Sequence, residues 1–182
     1  MKKVYKMIFV FGLLFLIVGC GEKATVRSAV NEFFNRYNTL DAVIMDQLNS
    51  YVKGEDLNDS QEEVYKEILR REYTNLEYEI VKEENVDDEN IVYVKIWVYD
   101  LYKAQKEALD YYNDHKDEFT DNEGNYDKVK FMDYKLEQMK KMMDKKEYEL
   151  ELRVVKDDDG YRVKQLTNEE LEKIHGIYNY EE

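Results

Sequence analysis

Two histidines, His115 and His175, are the side chains best suited to acid–base chemistry near neutral pH. His115 lies on the apolar side of a predicted helix, which favours a packed or half-exposed histidine. The alternative is catalysis together with a carboxylate in a pocket. His175 ends another predicted helix beside Gly176, where a cation would be favoured by the helix dipole. No serine or cysteine has an identifiable partner for nucleophilic catalysis, so we predict no catalytic residues and a protein that is not an enzyme.

The 41 acidic residues raise the alternative of a metal site. A calcium loop of the EF-hand type needs acidic residues at fixed offsets around one glycine and a glutamate at the end. The offsets around Gly124 place Phe119 first and Lys130 last, and the offsets around Gly160 fail in the same way. Zinc spacings of histidine or cysteine are also missing. The sequence therefore predicts solvated acidic turns, no metal and no cofactor.

The thiol of Cys20 belongs to the only cysteine in the chain, so it cannot form an internal disulfide. It directly follows an uninterrupted apolar run of 13 residues, Met7–Gly19, which is preceded by three lysines. A helix needs about 20 apolar residues to cross a bilayer, whereas the apolar region of a secretory signal has about 7–15. The run therefore predicts an export signal.

The sequence Ile17-Val18-Gly19-Cys20 resembles a bacterial lipobox. This resemblance implies that the sulfur of Cys20 receives a diacylglyceryl group and that the chain is cut between Gly19 and Cys20. Two acyl chains hold a protein stably on a membrane. We expect residues 1–19 to be a cleaved signal peptide and residues 20–24 a lipidated N-terminus with a short tether, on the extracytoplasmic face of the cell membrane. The alternative is an uncleaved apolar anchor.

The remaining chain predicts one strongly acidic domain over residues 25–182. Removal of residues 1–19 takes away three of 27 basic residues and no acidic one, so 24 basic residues face 41 acids and the net charge is −17. A nucleic-acid-binding protein needs a basic face, and adhesion to anionic lipid needs a basic segment. We therefore expect no nucleic-acid partner and a membrane attachment that depends on the lipid alone.

Apolar residues spaced by three and four predict N-terminal helices between Val26 and Leu48, with a break within residues 38–41. Ser60–Glu63 has the pattern of a capping box that begins the next helix. Residues 103–119 and a stripe from Val129 to Met143 predict a helical pair.

Near the C-terminus, Thr167–Glu170 forms a second capping box, and the short helix that it opens should end at Gly176. Alternating or β-branched patterns predict two antiparallel hairpins from four strands, residues 76–83, 91–102, 147–155 and 161–166. The second strand has apolar residues on both faces, which indicates a central strand that is covered on both sides. The fold class is therefore α+β, a curved antiparallel sheet packed on N-terminal helices, with the helical pair inserted between strands.

Two segments resemble a known group of proteins: AVNEFFNRYNTLDA at 29–42 and VVKDDDGYRVKQLTNEELEKIHGIY at 154–178. They are similar to secreted lipoproteins of low-GC Gram-positive bacteria with a cystatin-like or nuclear-transport-factor-2-like domain. The resemblance implies a cone, in which a curved antiparallel sheet surrounds long helices. The inserted pair at about 103–145 is longer than that cone requires.

A stripe of methionines, Met132, Met139 and Met143, is a candidate interaction surface, since methionine adapts to varied partners. The pattern favours the alternative, in which the stripe packs on the neighbouring helix or on the sheet. We expect a non-catalytic binding or interaction module at the cell surface, with an unidentified protein or small ligand as its partner. The alternatives are a structural component that docks through helices 103–145, and a small-molecule enzyme that uses His115.

Overall fold

The computed structural model describes residues 25–86, 89–158 and 160–181. The elements of this part are α1 Val26–Asn38, α2 Ala42–Lys53, α3 Asp59–Thr74, β1 Glu77–Val86, β2 Glu89–Tyr99, α4 Leu101–Asp114, α5 Lys128–Lys141, β3 Lys145–Asp157, β4 Gly160–Val163 and α6 Asn168–Ile174. A short 3-10 helix, Lys116–Phe119, lies between α4 and α5. This order confirms the predicted α+β class and the helical pair between the second and third strands.

The four strands form one antiparallel sheet in the order β1-β2-β3-β4, which is curved and does not close. Val94 in β2 lies opposite Ile80 in β1 and Leu150 in β3, so apolar side chains from three strands meet on one face. The insertion of α4 and α5 leaves this pairing intact because β2 and β3 remain neighbours over ten residue pairs.

Only one face of β2 is buried, and the prediction that this strand is covered on both sides is wrong. Val92, Val94, Ile96 and Val98 alternate as fully buried residues, and α1 packs on the same sheet. The residues between them are only half-buried. They are shielded by neighbouring strands, as Lys82 lies 4.1 Å from the Tyr93 ring centroid and Lys95 pairs with Glu147 at 2.7 Å.

The predicted break after Asn38 is confirmed, and it places α1 and α2 at an angle that opens a space between them and the sheet edge. Leu40 adopts a positive φ of 51°, which ends the first helix. Asp41 then caps α2, because its Oδ1 accepts the backbone N–H of Ile44 at 2.9 Å. Its Oδ2 accepts from Nε of Arg36 at 2.6 Å, so one carboxylate joins both helices.

The predicted capping box at Ser60–Glu63 is wrong, because α3 begins earlier. Asn58 is the N-cap and accepts the N–H of Gln61 at 3.0 Å, while the Gln61 side chain accepts the N–H of Asn58 at 3.1 Å. The box at Thr167–Glu170 is confirmed by the same reciprocal pair of hydrogen bonds.

The predicted helix over residues 103–119 has different bounds. It begins at Leu101, because Asp100 caps it by accepting the N–H of Lys103 at 3.0 Å. It ends at Asp114, and the segment up to Phe119 is the 3-10 helix.

Helix α5 ends without a glycine, and its last carbonyl groups are satisfied by Arg71 from α3. The guanidinium donates to the carbonyl oxygens of Met139 at 3.2 Å and Met142 at 3.1 Å, and also to that of Lys140. It lies 4.5 Å from the Tyr99 ring centroid as well. A charged donor at the negative end of a helix stabilises that end, so Arg71 holds the helical pair on the rest of the domain.

Replacement of Arg71 by alanine should lower the free energy of unfolding by about 2–3 kcal/mol, since hydrogen bonds to charged groups contribute about 1.5–3 kcal/mol. Arg71→Lys should recover less than half of this loss, because an ammonium group cannot reach three carbonyls with a planar fork. Urea unfolding followed by circular dichroism measures both changes. Equal stability of the alanine variant and the wild type would show that α5 is held without Arg71.

None of the helices in the described ranges combines the length and the hydropathy needed to cross a bilayer.

Candidate functional site

A cleft with a volume of about 620 Å³ lies between α1, α2, α6 and the segment that leaves β4 at residues 163–166. Its size falls within the range of about 300–1,000 Å³ that is typical of small-molecule sites. The break between α1 and α2 shapes one wall, and the end of the sheet shapes the other. A second cleft, lined by residues of α3 and α5 among others, is smaller, at about 190 Å³.

The floor of the cleft is aromatic. The ring centroid of Tyr37 lies 5.1 Å from that of Tyr73 and 5.2 Å from that of Phe33. The ring of His175 lies 4.5 Å from that of Tyr51 and 5.7 Å from that of Tyr73. These edge-to-face and tilted contacts fix the rings to one another, so the floor is rigid and preformed.

The tyrosines of the floor stay protonated over the physiological range. Burial raises the pKa of Tyr37 to about 12 and raises the pKa of Tyr73 further. Both side chains therefore present neutral hydroxyl groups and no charge.

His175 is buried on the same floor, and its Nδ1 has no hydrogen-bond partner among the described residues. Burial lowers the pKa of the imidazole to about 4, because the charged form would lose its hydration. The predicted favourable charge at the end of α6 is therefore wrong: His175 does end this helix, but as a neutral ring.

Two cations, Arg36 and Lys164, line the cleft, and each side chain is 39% exposed. Arg36 uses Nε to bind Asp41, and its two terminal nitrogens have no partner among the described residues. The ammonium of Lys164 pairs with Oε1 of Glu89 at 2.5 Å. Their exposure places them at the mouth, above the buried rings.

No aspartate or glutamate lines the cleft among the residues that the structure describes. The charged groups of the lining are therefore Arg36 and Lys164, each of which pairs with a carboxylate outside the lining, Asp41 and Glu89.

Comparison with known proteins finds no relative of this chain. No family model, no curated protein and no solved structure matches the chain. The site is therefore interpreted from its own geometry.

The two histidines of the sequence are not brought together. His115 is exposed at the end of α4, where it stacks on Tyr111 at 4.0 Å between ring centroids and its Nδ1 lies 3.0 Å from the Tyr111 carbonyl oxygen. It lines neither of the two clefts. The predicted position of His115 on the apolar side of a helix is wrong, because α4 ends at Asp114 and His115 is its exposed C-cap.

Two buried carboxylates, Glu72 and Asp100, are not among the residues that line the large cleft. Glu72 accepts the N–H of Tyr99 at 3.0 and 3.1 Å. Asp100 caps α4 and accepts from the hydroxyl of Tyr180 at 3.0 Å. Glu72 therefore binds the backbone at the end of β2, and Asp100 caps α4 and holds Tyr180. Both carboxylates have structural roles.

No group of three or more His, Cys, Asp or Glu side chains within the described ranges is arranged to hold a metal ion.

The methionine stripe divides between core and surface. Met139 is 1% exposed and, with Met132, lines a smaller cleft of about 190 Å³ between α3, α5 and Ile177. Met143 is 69% exposed and lies beyond the end of α5. An interaction surface shared by all three methionines is therefore wrong, because α5 turns Met139 into the core while Met143 is outside the helix.

Cys20 and Gly19, the predicted sites of lipidation and cleavage, lie outside the described residues.

Proposed function

We propose that the protein is a lipid-anchored extracytoplasmic lipoprotein whose single α+β domain is a non-catalytic binding module at the cell surface. The observation that carries the anchor is Cys20 at the end of the apolar run Met7–Gly19. The observation that supports binding is the preformed cleft of about 620 Å³. We also propose that the domain belongs to the cystatin-like or nuclear-transport-factor-2-like cones, which is supported by its curved sheet with helices on one face.

The fold begins close to the proposed anchor. Thr25 caps α1 through its side chain, which accepts the N–H of Ser28 at 3.0 Å. Five residues along a fully extended chain span at most about 18 Å, so Thr25 would lie within that distance of the lipidated Cys20. Phe33 at the cleft follows eight residues later, about 12 Å further along the helix. The cleft would therefore open within about 30 Å of the membrane surface.

The charge of the domain fits attachment by lipid alone. With a net charge of −17 after removal of residues 1–19, the domain would be repelled by an anionic bilayer. The two acyl chains of a diacylglyceryl group supply the attachment that the protein surface lacks.

Replacement of Cys20 by alanine should abolish membrane retention of a processed chain, because the thioether can form only on sulfur. Wild type and variant would be expressed in a Gram-positive host, separated into membrane and medium, and measured by mass spectrometry of the N-terminus. The wild type should begin at a diacylglyceryl-modified Cys20 in the membrane fraction. Cys20→Ser is the matched control for side-chain size and should fail as the alanine variant does.

An unprocessed chain that stays in the membrane with or without Cys20 would overturn this proposal. Residues 7–19 would then act as an uncleaved anchor.

A further inference from the structure

We propose that the large cleft binds an anionic amphiphile, a molecule with an aromatic or aliphatic body and a single carboxylate- or phosphate-type group. The body would lie on the partly exposed side chains of Phe33, Tyr51 and Leu171, above the buried rings of Tyr37 and Tyr73, and the anionic group would meet Arg36 and Lys164 at the mouth. This inference deepens the proposed function and rests on it for the source of the ligand.

The apolar side chains at the floor of the cleft support an apolar body in the proposed ligand. Tyr37 and Tyr73 are 3% and 2% exposed and their rings are held edge to face, so they support the floor from below. The surface that a ligand would touch comes from the partly exposed Phe33 and Leu171 and the exposed Val43. A flat or flexible apolar body would gain about 25 cal/mol for each Å² that it removes from water. A strongly hydrated ligand such as a free sugar would gain less from such a floor.

The two cations at the mouth of the cleft, Arg36 and Lys164, support an anionic group in the proposed ligand. The terminal nitrogens of Arg36 are free of protein partners in the described part of the chain, and Asp41 holds the guanidinium by Nε alone. A planar guanidinium with its outer edge open can receive a carboxylate or phosphate through two parallel hydrogen bonds. Lys164 provides a second ammonium group, which pairs with Oε1 of Glu89 at 2.5 Å, so an anionic ligand would have to share or replace this pairing. No aspartate or glutamate lines the cleft among the described residues, and Asp41 and Glu89 are each already paired with one of the two cations.

The source of the ligand is either the nearby membrane or the medium. Within about 30 Å of a bilayer, as the proposed anchor implies, a fatty acid or a lysophospholipid could enter the cleft from the lipid phase. A soluble aromatic acid has the same chemistry and would come from the medium. Two probes distinguish these sources: dodecanoate for the lipid class and 1-naphthoate for the soluble aromatic class.

The test is equilibrium dialysis of both probes against the full chain in phosphatidylcholine nanodiscs, with empty nanodiscs as the blank. At least one anion should bind at least tenfold more tightly than its neutral analogue, dodecan-1-ol or 1-naphthamide. The double variant Arg36→Gln/Lys164→Gln should lose at least tenfold in affinity. The matched control is Arg27→Gln/Lys95→Gln, which removes the same charge from two ion-paired residues outside the cleft and should bind as the wild type does.

A second variant tests the apolar body without a change of charge. Val43 lines the cleft and is 47% exposed, so Val43→Trp should fill the space with little effect on folding and should remove binding. Equal affinity for anions and neutral analogues, or no binding of either anion, would overturn the inference. Nanodiscs hold the chain through a lipidated Cys20 or through an uncleaved apolar segment, so the result is separate from the test of the anchor.

Discussion

Replacement of Gly176 by alanine should lower the free energy of unfolding by about 2–5 kcal/mol. Gly176 has a φ of +70°, and the left-handed region costs other residues about 1–2 kcal/mol. A Cβ at this position would also meet the carbonyl oxygen of Tyr99 well inside van der Waals contact. Overpacking of this kind costs about 1–3 kcal/mol more.

The large effect follows from the position of Gly176 at the junction of three elements. It directly follows α6 and the buried His175, and its carbonyl oxygen accepts the N–H of Tyr102 at 2.8 Å. The obstructing oxygen belongs to backbone at the end of β2, so no side chain can rotate away. An alanine must therefore displace α6 from the sheet, and α6 forms one wall of the cleft.

Gly124→Ala is the matched control. Gly124 has a similar φ of +84°, but a Cβ there would meet nothing within 4 Å. This variant should lose only the conformational part, about 1–2 kcal/mol. Urea unfolding of both variants measures the difference, and equal losses would contradict the close approach of α6 to Tyr99.

Local signals in the sequence were sufficient to predict most of the elements. Periodicity located the strands and helices, and the break at residues 38–41 and the box at Thr167–Glu170 depend on neighbours within a few residues. The capping box predicted at Ser60–Glu63 lies two residues earlier, at Asn58 and Gln61. Both segments have residue types that can form a capping box, and the sequence pattern alone does not decide between them.

Features that depend on contacts between distant residues could not be predicted in this way. The sequence predicts a helix end at Gly176. The close approach of Gly176 to the carbonyl oxygen of Tyr99, which would obstruct a Cβ, depends on how α6 packs against the end of β2. The burial of His175 depends on Tyr51 and Tyr73, which come from two other helices. The cleft itself has one indirect signal in the sequence, the break that separates α1 from α2.

Replacement of Glu72 by glutamine should reduce the loss of stability that the domain shows as the pH rises from 6.5 to 8. Glu72 is 1% exposed, and burial raises its pKa to about 8 from an ordinary value of 4.5. The hydrogen bond from Tyr99 and the positive charges of Arg71 and Lys145 oppose this shift but do not cancel it. At neutral pH the buried group is therefore mostly protonated.

The sign of the pH dependence follows from proton binding. Between pH 4.5 and 8 the folded state binds more protons at Glu72 than the unfolded state, so the free energy of unfolding falls as the pH rises through this window. At 1.36 kcal/mol for each pKa unit, the loss has an upper bound of about 5 kcal/mol at pH 8 and above.

His175 has the opposite effect on the pH dependence of stability, and it acts over a lower pH range. Its pKa of about 4 in the folded state lies below the ordinary 6.5, so stability from this group falls as the pH drops from 6.5 to 4. The two slopes oppose each other where the windows overlap, between pH 4.5 and 6.5. The net decline of stability with rising pH should therefore be steepest between pH 6.5 and 8.

Urea unfolding at pH 5, 6.5 and 8 measures this dependence. Glu72→Gln keeps an oxygen that can accept the N–H of Tyr99, so between pH 6.5 and 8 its stability should change by about 1.6 kcal/mol less than that of the wild type. Glu32→Gln is the matched control, because Glu32 is exposed on α1 and loses the same charge. If both variants follow the wild-type curve, the carboxyl group of Glu72 is ionised in the folded state, and the positive charges of Arg71 and Lys145 outweigh its burial.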